Sequence, residues 1–346
     1  HGGYVVSPHA GPVRQRLDRL MQEMTTALPS DLVFEDQIGA RPLAFDHNPA
    51  APGLAAYHDG WLAHTREHAA QRLMTEAGYD RLAETEIGFA GSFLLQHNVW
   101  QDPARWWGDG NWEIYPATAF FVRDKALFYQ HNLAPESFTH NLAALRWNLA
   151  SGYMLSYDSL QSEFGGGIED PWLDAVSVIQ SIVLSRYADQ LATGFDWLSP
   201  AVSHTEFGAF TVIANWDDST PYELGAHILA PGGVLVSDAS GSTVAGAFTA
   251  YNGQPLSGDG HLLVERRGSA GITVWKPLGP DTPLAVRALP GWAEGQAVTV
   301  LACTAVDACT PAGSVTVSGG LVHFQYAARS GAGVIARYRL EADHLQ

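Results

Sequence analysis

Two carboxylates, Asp36 and Glu76, each close a short apolar run, Asp31-Leu-Val-Phe-Glu-Asp36 and Arg72-Leu-Met-Thr-Glu76. Short runs of apolar, branched and aromatic residues bounded by polar residues and glycine predict strands. Neighbouring parallel strands lie about 4.8 Å apart. Side chains at their tips can therefore reach the roughly 5–5.5 Å separation of a carboxyl pair acting on one glycosidic bond. In such chemistry one carboxylate is nucleophile or base, and the other is an acid held protonated by its surroundings. Glu35 stands beside Asp36, and strand alternation sends the two to opposite faces. Asp36 is the one expected to look into the site, because it shares the side of Leu32 and Phe34 and abuts the loop. The plainer use of Asp36 and Glu76 is helix capping or pairing with Arg41.

Other polar residues gather around the same predicted strand ends. Gln37, Arg41, Asp46, His47 and Asp80 are candidate hydroxyl-binding groups. His131 and Asn132 end a third run, Ala126-Leu-Phe-Tyr-Gln130, and Tyr157 and Asp158 end a fourth, Gly152-Tyr-Met-Leu-Ser-Tyr-Asp158. Each could equally cap a helix or face solvent. Trp106, Trp107 and Trp112 lie in a Gly-containing insertion and are candidate walls of a subsite, since an aromatic face suits the C–H face of a pyranose. Core packing is the competing explanation for the chain's 11 Trp.

The elements that would position these groups alternate. Apolar residues at helical spacing predict a helix over 11–28, followed by the strand at 31–36 and a helix at about 60–70. After the strand at 72–76, a helix is expected over about 79–95. The strand at 126–130 precedes a helix over 135–150, and the strand at 152–158 precedes one over 171–193. Strands alternating with helices signal parallel βα units, and functional side chains at the C-terminal strand ends are the habit of a (β/α) barrel. Beyond 199 the pattern becomes short β runs separated by Gly, Pro, Asp and Ser (210–214, 233–236, 271–275, 297–301, 321–324 and 333–336), as in an antiparallel β-sandwich.

The expected fold class is thus α/β plus all-β: residues 1–199 as the C-terminal part of a (β/α)8 TIM barrel, and 200–346 as the β-sandwich, divided near Ser199-Pro200. Only about four or five βα units are visible where a closed barrel has eight. An N-terminal segment or separate chain is expected to supply the rest, consistent with a chain beginning at His1 rather than Met.

Composition narrows the partners. Asp plus Glu number 36 against 19 Lys plus Arg, a formal charge of −17. That excess argues against nucleic acid and anionic membranes, which both call for basic surface, while a neutral glycan is indifferent to it. No run of about 18 apolar residues is present to span a bilayer. The two cysteines, Cys303 and Cys309, form a close pair in a β-rich stretch and predict a local disulfide, hence a secreted or periplasmic setting. His64 and His68 share a helical face, yet the stretch lacks a zincin His-Glu-x-x-His order, so surface histidines and no metal are expected. A metal-dependent hydrolase using them is the rival. Gly165-Gly-Gly167 has no phosphate-loop context, and no Gly-x-Ser-x-Gly elbow exists. No cofactor is implied.

Residues 31–41, Phe45-Asp-His-Asn-Pro49, Asp59-Gly-Trp61 and Thr75-Glu-Ala-Gly-Tyr-Asp-Arg81 resemble an uncharacterised family of bacterial glycosidase-like barrel proteins. That family is in turn similar to the endo-α-N-acetylgalactosaminidase group of retaining hydrolases. The resemblance covers roughly 1–235 and is strongest over 31–91. It implies Asp36 as a strand-four nucleophile, Glu76 as a strand-five acid/base, and a preference for α-linked sugars. Family members also carry a barrel start and an N-terminal β-domain that this sequence does not display. A carbohydrate-binding protein with the same barrel but no turnover is the alternative function.

Overall fold

The computed structural model describes residues 5–27, 30–40, 44–92, 117–129, 139, 141–157, 171–258, 260–327, 329–330 and 333–342. Arg41, Trp106, Trp107, Trp112, His131, Asn132 and Asp158 lie outside the described residues. Among the described residues, the first half carries five α-helices: α1 (Gly11–Ala27), α2 (Ala56–His68), α3 (Ala117–Phe121), α4 (Leu142–Ser151) and α5 (Pro171–Ile182). With them is a four-stranded sheet of β1 (Val33–Glu35), β2 (Leu73–Gly78), β3 (Glu86–Ser92) and β4 (Leu127–Tyr129). Its strands lie in chain order and are all parallel. A parallel bridge from Tyr129 to Met154 extends the arrangement into the stretch predicted as the next strand.

One face of this sheet is packed. Phe89 of β3 and Phe128 of β4 are fully buried with Leu62 of α2, Leu82 and Tyr153. The opposite face is more open at β1, where Leu32 and Phe34 are exposed.

The helix predicted over 79–95 is not formed. Asp80–Glu84 is a single 3-10 segment, and β3 takes 86–92. Gly88 and Gly91 each disfavour a helix by about 1 kcal/mol relative to Ala, and the same small residues suit a close strand. A Cβ on Gly78 would stand 2.0 Å from the Phe89 ring, so the two strands rely on glycine at that contact. The helix predicted to reach residue 193 also stops early, at Ile182. Residues 192–199 instead find an antiparallel partner and join the second half of the molecule.

That second half comprises β5 (Ala192–Ser199), β6 (Val202–Phe207), β7 (Phe210–Asn215), β8 (Tyr222–Leu224), β9 (His227–Leu229) and β10 (Val234–Asp238). It continues through β11 (Thr243–Tyr251), β12 (Gln254–Pro255), β13 (His261–Arg267), β14 (Gly271–Leu278), β15 (Thr282–Arg287) and β16 (Ala297–Cys303). The last strands are β17 (Cys309–Ser318), β18 (Leu321–Tyr326), β19 (Arg329–Ser330), β20 (Gly333–Val334) and β21 (Arg337–Ala342). Fifteen of them hydrogen-bond into one sheet, whose main path runs β15-β18-β17-β16-β21-β14-β13-β11-β10-β7-β6-β5. The short β19–β20 pair stands apart.

Alternation sorts the side chains of this sheet into two cores. Ile213, Leu235, Leu263 and Val274 share one with Leu284, Val298 and Val322 from the far end of the path. Val212, Val236 and Val264 face the other way, onto Leu145 and Leu149 of α4 and Ala175, Val176 and Ile179 of α5. Buried Arg146 of α4 fastens the halves together, donating to the Asn215 carbonyl (2.9 Å) and Asp218 (2.6 Å) beneath the Trp216 ring. The predicted disulfide is present: Cys303 and Cys309 face each other across the β16–β17 hairpin and are bonded.

Candidate active site

The register of the parallel sheet determines which side chains meet. Phe34 pairs with Met74 and Gly88 with Leu127, while one step on Glu35, Thr75, Phe89 and Phe128 stand level. The following level is Glu76, Ala90 and Tyr129, and Asp36 is the first residue of the turn that follows β1. Because side chains alternate, the Phe89 level faces the helices and the Glu76 level faces the other way, on the side of Phe34. Glu76 thus lies within β2, and Asp36 lies just beyond the end of the neighbouring β1. They differ in environment, since Asp36 is exposed and Glu76 is 5% exposed.

The backbone immediately after each carboxylate is unusual. Gln37 has φ +65° and Ala77 has φ +53°. A non-glycine residue in the left-handed region costs about 1–2 kcal/mol and is enriched at functional sites. The chain leaves β1 just before Gln37, whereas β2 continues through Ala77 to Gly78. The loop leaving β1 then folds across the end of β2: the Gly39 N–H donates to Thr75 Oγ1 (2.9 Å), whose hydroxyl donates to the Glu35 carbonyl (3.0 Å). A Cβ on Gly39 would lie 2.5 Å from the Glu76 carbonyl oxygen, so only glycine permits this approach. These contacts seat Asp36 and Glu76 on one small piece of rigid backbone.

Glu35 occupies the opposite face, beneath α2. It is 8% exposed and meets His64 Nε2 at 2.8 Å through Oε1. Glu86, 1% exposed, lies against the same carboxylate, and neither of its oxygens nor Glu35 Oε2 meets a protein donor among the described residues. Burial, and then the neighbouring Glu35 carboxylate, push the Glu86 carboxyl up to about 9. A protonated Glu86 supplies the missing donor. Nothing in the sequence pointed to this cluster, because 79–95 read as a helix and His64 as a surface residue. The surface expectation is corrected: His64 is 5% exposed.

His68, one turn on, directs Nδ1 to the His64 carbonyl (3.0 Å) and places Nε2 3.5 Å from Asp18 on α1. With Glu67 it forms a three-residue group at the α1–α2 surface whose potential ligand atoms lie within 4.8 Å of one another, but the Arg14 guanidinium already engages Glu67.

The remaining candidates divide. Gln37 and Asp80 are exposed at the ends of β1 and β2. His47 is exposed and packs edge-on against Phe45. Asp46 is turned inward at 6% exposure, accepting from Ser7 Oγ (2.8 Å) and the Asn48 N–H (2.9 Å), so it organises its own loop rather than offering a free carboxylate. Tyr157 is half-buried against the core under α4 and α5. Beside Asp80, His58 Nδ1 accepts from Arg81 (2.8 Å), and burial followed by that guanidinium lowers the imidazole's pKa.

No protein-family model matches the chain, and no curated protein does. Among solved structures it is similar to a GH30 endoxylanase from Clostridium papyrosolvens C71, with a TM-score of 0.32 and 7% identity over 96% of this chain and 71% of that one. It is also similar to CelM2, a bifunctional glucanase-xylanase protein from a metagenome library, with a TM-score of 0.27 and 13% identity over 96% of this chain and 59% of that one.

Proposed function

We propose that the protein is an extracellular retaining glycoside hydrolase that cleaves α-glycosidic bonds of a glycan, with Asp36 as nucleophile and Glu76 as acid/base. The observation that carries this reading is that β1 and β2 are adjacent parallel strands, with Asp36 directly after β1, Glu76 within β2, and a left-handed residue following each carboxylate. Retaining hydrolysis calls for two carboxyl groups about 5–5.5 Å apart, a separation that side chains on neighbouring strands about 4.8 Å apart can reach. The sequence resemblance to glycosidase-like barrels related to the endo-α-N-acetylgalactosaminidase group supports the roles and the α preference.

In the first step Glu76 donates its proton to the glycosidic oxygen as Asp36 Oδ attacks the anomeric carbon, breaking the bond to the aglycone and forming a glycosyl ester. In the second, Glu76 takes a proton from water, whose oxygen attacks the anomeric carbon and releases Asp36. In this proposal Gln37, His47 and Asp80, all exposed, meet sugar hydroxyls. Arg41, the tryptophans of the insertion, His131, Asn132 and Asp158 complete the proposed subsites. Exposed Leu32 and Phe34 at the β1 edge fit the same proposal, in which further strands from an N-terminal segment or chain continue the sheet into a barrel. Among the described residues no helix is long and apolar enough to cross a membrane. The disulfide supports an oxidising, extracytoplasmic location.

The test is turnover of a panel of α- and β-linked aryl glycosides and longer glycans by the protein, Asp36→Asn and Glu76→Gln. Release of aglycone from an α-glycoside, lowered by several orders of magnitude in Asp36→Asn, is expected. Equal activity in all three proteins removes the assignment, and glycan binding without turnover moves the reading to a carbohydrate-binding protein.

A further inference from the structure

The helix-side face of the antiparallel sheet carries a groove of about 380 Å³ at the β13–β14 hairpin, away from the carboxylates. Its lining includes Arg266, Ser269, Thr273, Trp275, Arg339 and Glu341. Register explains the grouping. Arg266 pairs with Thr273, and Thr273 pairs with Arg339, so the three form one cross-strand row over β13, β14 and β21. With strands about 4.8 Å apart, the two arginine backbones stand roughly 10 Å apart with the threonine between them.

The preceding row on the same face is Val264 and Trp275. There α5 covers the sheet, and Val264 and Trp275 pack with Ala175, Val176 and Ile179. The arginine row lies beyond the helix, and both arginines are exposed. Arg339 is engaged by Glu341. Arg266 meets no hydrogen-bond or ion-pair partner among the described residues, although acidic residues outnumber basic ones 36 to 19 in this chain. Gly271 brings β14 tightly against β21, where a Cβ would come within 2.6 Å of the Leu340 carbonyl oxygen. The small residues Gly268, Ser269 and Ala270 leave the groove's end low and open.

We propose that this groove binds a saccharide bearing a carboxylate, such as a uronic or sialic acid residue. The half-buried Trp275 indole offers its flat apolar surface to the sugar ring. The Arg266 guanidinium, from the same cross-strand row as Thr273 and Arg339, is a planar fork suited to a carboxylate. The Thr273 hydroxyl remains for a ring hydroxyl, while Glu341 stays paired with Arg339. The site lies in the β-domain and does not depend on Asp36 and Glu76 being catalytic.

The experiment is affinity electrophoresis and calorimetry of the intact protein at about 0.15 M salt, where long-range attraction is screened. The probes are polygalacturonic acid, sialyllactose, dextran sulfate and neutral dextran. Retention by a carboxylated probe is expected, weakened by about tenfold in Arg266→Gln, a substitution of an exposed side chain, and unchanged in Asp36→Asn. Equal retention by dextran sulfate and the carboxylated probes reduces the site to a general anion patch and overturns the proposal. Retention by neutral dextran, indifference to Arg266→Gln, or no binding of either carboxylated probe does the same.

Discussion

Replacing Glu86 by Gln should remove a pH dependence of stability that the folded chain builds into its parallel sheet. Glu86 is 1% exposed, shares its surroundings with Glu35, and has its carboxyl raised from an ordinary 4.5 to about 9. The folded protein therefore holds a proton there that the unfolded chain gives up above about pH 4.5. A raised acid stabilises the fold fully below its unfolded pKa, and that contribution is lost as pH climbs toward the folded value. Each unit is about 1.4 kcal/mol, so the loss between pH 5 and pH 8 is at most about 4 kcal/mol. Glutamine keeps the shape of the protonated acid and its donor toward Glu35, but it does not titrate. Wild type and Glu86→Gln should unfold at similar temperatures at pH 5. At pH 8 the variant should be higher by on the order of 10 °C, since a domain of this size gains a few degrees per kcal/mol. Differential scanning calorimetry from pH 5 to 9 reads this directly. Parallel curves for the two proteins, or a variant destabilised at every pH, would refute the shared-proton arrangement of Glu86 and Glu35.

Two further outcomes follow from backbone and covalent geometry. Ala77→Gly, at φ +53°, should leave urea stability unchanged or raise it by up to about 1 kcal/mol, because glycine adopts the left-handed region without a Cβ penalty. A loss of more than about 1 kcal/mol would mean that the residue is not strained. Cys303→Ser with Cys309→Ser opens a loop of sequence separation 6 and should cost roughly 2 kcal/mol by loop entropy, visible as a lower midpoint that dithiothreitol reproduces in the wild type. Identical midpoints for reduced and oxidised protein would count against it.

Much of the frame was legible because its causes are local. Apolar runs that end in polar residues marked β1, β2 and β4, helical spacing marked α1, and alternation between turns marked β7, β10, β14, β16 and β18. A close cysteine pair on a hairpin needs only short-range geometry, and it is bonded. Next to one another in the chain, Glu35 is buried beneath α2 and Asp36, the first residue of the following turn, is exposed.

What tertiary structure decided lies where a segment's conformation depends on a distant partner. Residues 86–92 are a strand because β2 and β4 offer open parallel edges on either side, and Gly78 makes room for Phe89. Residues 192–199 leave the helical pattern because β6 pairs with them. The buried meeting of Glu35, His64 and Glu86 unites β1, α2 and β3, and no spacing along the chain encodes it. Asp46 is polar and loop-borne, the usual profile of a binding residue, yet Ser7, 39 positions earlier, claims one of its oxygens. The residue types that can carry chemistry are thus written in the sequence, but their levels, depths and partners are set by register and packing, which are properties of the assembled fold.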